Sequence, residues 1–153
     1  MAFVTDDFFE TLYCVLSTKE QFEDYQKKNP DYTTYKGQEW ATYEWLYGDS
    51  NVENSPFGNK FYPILSKLSS ELALPYDMHD ENKQAFIAAF IDAITEGVLA
   101  IPDEVFTSNQ QNKETITFFI SISDNDYAET IENESAKRMN HQELANHFIQ
   151  RFN

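Results

Sequence analysis

A large excess of negative charge constrains how this chain can fold. The formal net charge is −15, because 26 acidic side chains face 11 basic ones in 153 residues. Burying an unpaired carboxylate is costly, so most of these acids must lie at the surface of any folded form. The core must come from the hydrophobic residues, which make up 41% of the chain and include 13 Phe and 9 Tyr. Disordered acidic chains are poor in aromatic residues, so this sequence predicts a folded acidic domain.

Segment composition predicts a single globular domain over residues 1–153. No internal repeat or Gly/Pro/Ser-rich linker divides the sequence, and the turn-forming region 48–59 is interpreted as a loop. The longest apolar stretch, residues 85–101, is interrupted by Asp92 and Glu96, so it is too short and too polar to cross a bilayer. Residues 1–7 lack the basic and apolar regions of a signal peptide, so we expect a cytoplasmic protein that does not contact membrane.

Hydrophobic residues recur at helical spacing over much of the chain. The clearest helix is predicted to begin after Asp80 or Asp77 and to end before Pro102. Thr5 and Thr18 are predicted to cap two earlier helices, because such side chains accept hydrogen bonds from the free N–H groups of a first turn. These and the remaining predicted helices cover residues 5–16, 18–29, 38–47, 61–74 and 140–152.

The character of the sequence changes after residue 112. Residues Thr115–Ile122 are β-branched and aromatic and partly alternate, which predicts a strand. The sequence Asp-Asn-Asp at 124–126 is a turn signal, and Tyr127–Ile131 is predicted to return as a shorter second strand. The predicted fold class is therefore α+β, a helix-rich single domain with one small β-hairpin or sheet in the C-terminal third.

The sequence carries no motif that indicates catalysis, a cofactor or a metal. It has no glycine-rich phosphate loop after a strand and no G-x-S-x-G motif. Asp124 and Asp126 resemble the start of a calcium-binding loop, but Glu129 stands where that loop needs Gly and Ser135 where it needs Glu. We therefore expect a protein that is not an enzyme and that uses no cofactor or metal.

Two segments are candidates for contact with a partner. Acidic runs are most often solvated faces, but they also steer basic partners, and Tyr and Trp are enriched at interfaces. The candidate acids are Asp124, Asp126, Glu129, Glu132 and Glu134. The candidate aromatic residues, from a segment that is otherwise expected in the core, are Tyr35, Trp45 and Tyr47.

In size, charge and lack of catalytic motifs the chain resembles immunity proteins that neutralise bacterial nuclease toxins. That resemblance in composition implies a basic protein partner, most specifically a nuclease toxin, which is blocked by occlusion and without direct contact to nucleic acid. One alternative is a DNA mimic of the antirestriction or anti-CRISPR type, which would need rows of carboxylates at the spacing of duplex phosphates. Another is an acidic regulatory interaction domain whose charge serves solubility.

Overall fold

A four-stranded sheet organises the fold. The computed structural model describes residues 1–30, 37–45, 47–48, 58–123 and 125–152. The strands are β1 (Ala2–Thr5), β2 (Tyr13–Leu16), β3 (Tyr47–Gly48) and β4 (Phe119–Ile122), in the order β3-β2-β1-β4. Strand β1 pairs antiparallel with β2 and parallel with β4, and β2 pairs antiparallel with β3. The loops that follow β1 and β4 therefore leave the same end of the sheet.

Six α-helices accompany the sheet in the described residues. They are α1 (Lys19–Lys28), α2 (Gly58–Leu72), α3 (Glu81–Leu99), α4 (Asp103–Thr107), α5 (Ala128–Met139) and α6 (Gln142–Ile149). The predicted α+β class is confirmed, and β4 is the strand that lies in the C-terminal third. No helix in the described ranges has the length and apolar content needed to cross a membrane.

Alternation along the strands divides the core between the two faces of the sheet. On one face Phe3 and Ile120 belong to the larger hydrophobic cluster, together with Phe9 from the turn after β1 and Ile91 from α3. On the opposite face the smaller cluster contains the following side chains: Ala2, Val4, Val15, Phe119, Ala136 and Phe148. The two faces fix the register of the strands, because a slip of one residue would exchange them.

The helix predicted over residues 5–16 is wrong, because this segment forms β1, a turn and β2. Thr5 ends β1 and caps no helix, and the Asp6 carboxylate organises the turn that follows. It accepts hydrogen bonds from the backbone N–H groups of Phe8, Glu10 and Thr11, each at 3.0 Å, and from the Thr11 hydroxyl at 2.6 Å. Phe9 takes a positive φ of 59° and is fully buried, so its ring anchors the turn in the core.

Replacing Asp6 with Ala is expected to lower the free energy of unfolding by about 2 kcal/mol, because hydrogen bonds to a charged acceptor are worth more than neutral ones. Asp6→Asn keeps one acceptor oxygen, so its free energy of unfolding should lie between those of Asp6→Ala and the wild type. Urea unfolding measures all three proteins. If Asp6→Ala is as stable as the wild type, the carboxylate does not hold this turn.

The second strand predicted at Tyr127–Ile131 is also wrong, because Tyr127 is the N-cap of α5 and residues 128–131 form its first turn. This helix packs along β4 and covers its outer edge. The Ser135 hydroxyl accepts the Ile120 N–H at 2.9 Å. The Asn140 side chain accepts the Phe118 N–H at 2.7 Å and donates to the Phe118 carbonyl at 2.6 Å. These side chains satisfy backbone groups that a hairpin partner would have paired, so β4 needs no such partner.

The aromatic segment differs from its prediction as well. In place of a helix over residues 38–47, the chain forms 3₁₀ turns at Gln38–Trp40 and Thr42–Glu44 and then β3.

Two predicted helix caps are confirmed. The Thr18 hydroxyl accepts the Gln21 N–H at 3.1 Å, and Asp80 accepts the Asn82 N–H at 2.8 Å. These two predictions are correct because a helix cap depends only on residues within one turn of it.

Candidate functional site

The predicted acidic run is divided between the surface and the interior. Asp126 and Glu129 are exposed, whereas Glu134 forms an ion pair with Arg138 on the same helix. Asp124 lies outside the described residues. Glu132 points inward, and its side chain is only 16% exposed. The residues therefore do not form one continuous anionic face, because helical periodicity turns every third or fourth position of α5 toward the core.

Glu132 belongs to a buried ion pair. Its Oε2 accepts from Arg151 Nη2 at 2.6 Å and its Oε1 accepts from the Ser121 hydroxyl at 2.7 Å. Arg151, with a side chain 1% exposed, also donates to Asn133 Oδ1 at 2.6 Å and lies 4.0 Å from the centre of the Phe148 ring. Burial raises the pKa of Glu132 and lowers the pKa of Arg151. This carboxylate is thus part of the fold and is unsuited to long-range steering.

The three predicted aromatic contacts also have different positions. Tyr35 lies outside the described residues. Trp45 is partly buried, donates its indole N–H to the Glu39 carbonyl at 3.1 Å and packs against the Phe119 ring at 5.8 Å. Tyr47 is exposed on β3. Of the two that are described, Tyr47 has the more accessible ring.

A cleft of about 440 Å³ opens beside the buried ion pair, next to the C-terminal turn that follows α6. Its walls include Tyr13, Trp40 and Phe152. The Glu132 carboxylate at this cleft already accepts hydrogen bonds on both oxygens, and the Arg151 side chain is almost inaccessible. The charged groups of the cleft are therefore engaged in holding the C-terminal turn against β4 and α5.

A different surface brings acidic and aromatic side chains together. Phe8, in the turn after β1, contacts Tyr76, in the loop before α3, with ring centroids 5.6 Å apart. Both rings are largely open to solvent, at 48% and 75% exposure. Aromatic side chains are enriched at protein interfaces, so two exposed rings in contact mark a candidate interface.

Carboxylates adjoin this pair of rings. Asp7 and Asp77 are the neighbours of Phe8 and Tyr76 in the sequence, and exposed Glu81 is the first residue of α3, four positions after Asp77. Asp7 and Asp77 both attract the ammonium group of Lys83, which places their charges in one neighbourhood. We call Asp7, Phe8, Tyr76, Asp77 and Glu81 the acidic–aromatic patch.

Lys83 lies beneath the acidic–aromatic patch and is buried. Its Nζ donates to the Asp7 carbonyl at 2.9 Å and lies 6.0 Å from the centres of the Phe8 and Phe9 rings. The lysine therefore ties the turn after β1 to α3. Because it is buried, it offsets part of the negative charge without offering a cation to an approaching partner.

The edge of the acidic–aromatic patch reaches the loop that follows β4. The His79 ring meets the Tyr127 ring edge-on, with centroids 5.4 Å apart, and the backbone N–H of His79 donates to Asp77 Oδ1 at 2.8 Å. Asp126, one of the predicted acids, precedes Tyr127 and is exposed. Three loops at one end of the sheet thus contribute to the same surface.

This surface has the chemistry to bind cations. Carboxylates accept paired hydrogen bonds from a guanidinium group, and aromatic faces attract it through cation–π contact. The loops are held by the Asp6 hydrogen bonds, by buried Phe9 and by the Asp80 cap, so little ordering is needed on binding. In the part of the chain that the structure describes, no three His, Cys, Asp or Glu side chains form a group able to hold a metal ion.

The buried lysine predicts a pH dependence of stability. Burial lowers the pKa of Lys83 below the ordinary 10.5, against the attraction of Asp7, Asp6 and Asp77. The unfolded chain therefore binds the Lys83 proton more tightly than the folded chain does. The free energy of unfolding must then rise with pH between the lowered pKa of the folded state and 10.5. Over that pH range we expect the wild type to gain stability relative to Lys83→Met. Urea unfolding at several pH values measures the gain, and a constant difference would contradict it.

Comparison with known proteins yields a match to a family model. A family model described as "Domain of unknown function (DUF4303)" matches residues 1–141. No curated protein and no solved structure matches the chain. The matched range includes every residue of the acidic–aromatic patch and excludes Arg151.

Proposed function

We propose that this chain, which belongs to the DUF4303 family, is a non-catalytic binding protein that neutralises a basic partner through the acidic–aromatic patch. More specifically, we propose an immunity protein that blocks a bacterial nuclease toxin by occlusion in the cytoplasm. A nuclease must present basic side chains to hold phosphates, and an acidic protein can cover them.

One observation carries the proposal. The exposed rings of Phe8 and Tyr76 contact each other, Asp7 and Asp77 adjoin them in the sequence, Glu81 follows at the start of α3, and the nearby cation of Lys83 is buried. Charge alone would serve solubility, but charge around an exposed aromatic pair fits arginine side chains. The net charge of −15 adds a long-range field that accelerates encounter with a positive surface.

The arrangement favours this proposal over a DNA mimic. A mimic needs carboxylates in long rows, since duplex DNA carries one charge per ~1.7 Å of its axis. The acidic–aromatic patch instead concentrates a few carboxylates around two rings, which no phosphate backbone resembles. An interface with aromatic anchors at its centre and charges at its rim is typical of protein–protein recognition.

A capture experiment tests the proposal. The full chain is immobilised, proteins are captured from a native lysate, and the eluate is assayed for cleavage of plasmid DNA and of RNA. We expect a basic nuclease that loses its activity when stoichiometric free chain is added back. A variant with Asp7→Lys, Asp77→Lys and Glu81→Lys should neither capture nor inhibit it.

The same experiment separates the alternatives. If the captured complex is displaced by duplex DNA and has no nuclease activity, the DNA-mimic function is favoured and the immunity function is wrong. If the charge-reversed variant inhibits as well as the wild type, the acidic–aromatic patch is not the binding surface.

A further inference from the structure

Helix α2 exposes an apolar stripe that nothing in the described chain covers. Ile64, Leu68 and Leu72 lie four residues apart, so they follow one face of the helix. They are exposed by 56%, 39% and 53%, in the order of the sequence. Three large aliphatic side chains in a row form a contiguous surface, in contrast to the isolated apolar residues that are normal outside a core.

The fold gives α2 little support. Of its fifteen residues, the buried ones are Gly58, Leu65 and Ser69. They lie beside the exposed stripe on the helix, so only part of its apolar face reaches the core. Most helical stability in proteins comes from packing an apolar face, so α2 would be stabilised by a second surface on the stripe.

Charge identifies the kind of surface that fits. Helix α2 carries Lys60, Lys67 and Glu71, so it is slightly basic within a chain of net charge −15. Lys67 and Glu71 form an exposed ion pair at 3.6 Å along one flank of the stripe. Two copies of this chain repel each other least where this helix faces its counterpart.

We propose that α2 forms the interface of a symmetric dimer, in which the helices of two copies pack antiparallel. With Leu68 at the two-fold axis, Ile64 of each copy meets Leu72 of the other, because an isologous contact is self-complementary. Lys67 then lies about half a turn from Glu71 of the other copy, so the two charges attract across the interface as well as within each helix.

The dimer has a salt dependence opposite to that of the proposed function. Net repulsion between two acidic copies is screened by salt, so dimerisation should strengthen between about 0.15 M and about 0.5 M salt. Binding of a basic partner should weaken over the same range. Failure of one proposal can therefore be distinguished from failure of the other.

Sedimentation equilibrium of the full chain at micromolar concentration tests the dimer. The wild type should dimerise, and Leu68→Lys, which sets two like charges together at the axis, should weaken dimerisation by at least about thirty-fold, the loss expected of a central anchor. Ile64→Lys should do the same by removing the contact with Leu72. Val105→Lys is the matched control, since Val105 is a similarly exposed aliphatic residue on α4, and it should have no effect.

Charge exchange provides the second measurement. Lys67→Glu alone should weaken the dimer, and addition of Glu71→Lys should restore it. Far-UV circular dichroism and urea unfolding confirm that each variant keeps its fold. A wild type that is monomeric at both salt concentrations overturns the proposal, as does a dimer that survives both Leu68→Lys and Ile64→Lys in folded protein.

Discussion

Arg151→Met is expected to lower the free energy of unfolding by about 3–5 kcal/mol, since it leaves the buried Glu132 carboxylate without its cation. Both side chains are largely excluded from solvent, at 1% and 16% exposure, so water solvates the remaining carboxylate poorly. Asn133 Oδ1 loses a donor at the same time, and the contact with the Phe148 ring is reduced. Urea unfolding at neutral pH measures the loss.

The double variant Glu132→Leu, Arg151→Met isolates the cause. Burial raises the pKa of Glu132 and lowers the pKa of Arg151, so desolvation opposes the pairing on both sides. Removing both charges should therefore restore stability to within about 1 kcal/mol of the wild type. A double variant as unstable as Arg151→Met would mean that packing, and not an uncompensated charge, causes the loss.

The pH dependence of Arg151→Met supplies a further check. The folded-state pKa of Glu132 is already raised by burial and must rise further without Arg151. The folded state then holds this proton more tightly than the unfolded state, so stability is lost as the pH rises through the folded pKa. Relative to the wild type, Arg151→Met should recover as the pH is lowered, whereas the double variant should not.

Reversal of three charges in the acidic–aromatic patch is expected to slow association with a basic partner by about tenfold to a thousandfold at low salt, the range that electrostatic steering supplies. The variant is Asp7→Lys, Asp77→Lys, Glu81→Lys, and it raises the formal net charge from −15 to −9. Stopped-flow fluorescence or surface plasmon resonance with the captured nuclease measures the rate. The association rate of this variant should also depend less on ionic strength than that of the wild type.

A matched control separates position from net charge. Helix α1 carries Glu20, Glu23 and Asp24, which are exposed, and none of the exposed aromatic residues of the described chain lies on it. Reversing these three charges gives the same net charge of −9 but leaves the acidic–aromatic patch intact. We expect a small decrease in rate. Equal slowing by the two triple variants would show that the overall field, and not this surface, guides the partner.

Local signals in the sequence predicted part of the fold. The start of α3 follows from Asp80 and its end from Pro102, because caps and breakers act within one turn. The N-terminal prediction failed because the apolar residues near Phe8 and Leu12 fit a helix and a strand alike, and Asp6 is favoured both at caps and in turns. The parallel pairing of β1 with β4 joins residues more than a hundred positions apart, which no local pattern specifies.

The candidate site was predictable in kind but not in place. The acid excess predicts an anionic binding surface, yet the densest acidic run falls on α5, where Glu132 turns inward. The acidic–aromatic patch combines residues 7–8 with residues 76–81, and each part alone is an ordinary acidic turn or helix start. The available signal is that acidic and aromatic residues are adjacent at both places. Only the fold brings those two places together.

Chemical-shift mapping of the isotope-labelled full chain with a short arginine-rich peptide tests the central claim most directly. We expect the backbone amides of Asp7, Phe8, Tyr76, Asp77 and Glu81 to shift first and most, with the amides of α1 nearly unchanged. Shifts spread evenly over the acidic surface, or centred on α1, would contradict the account.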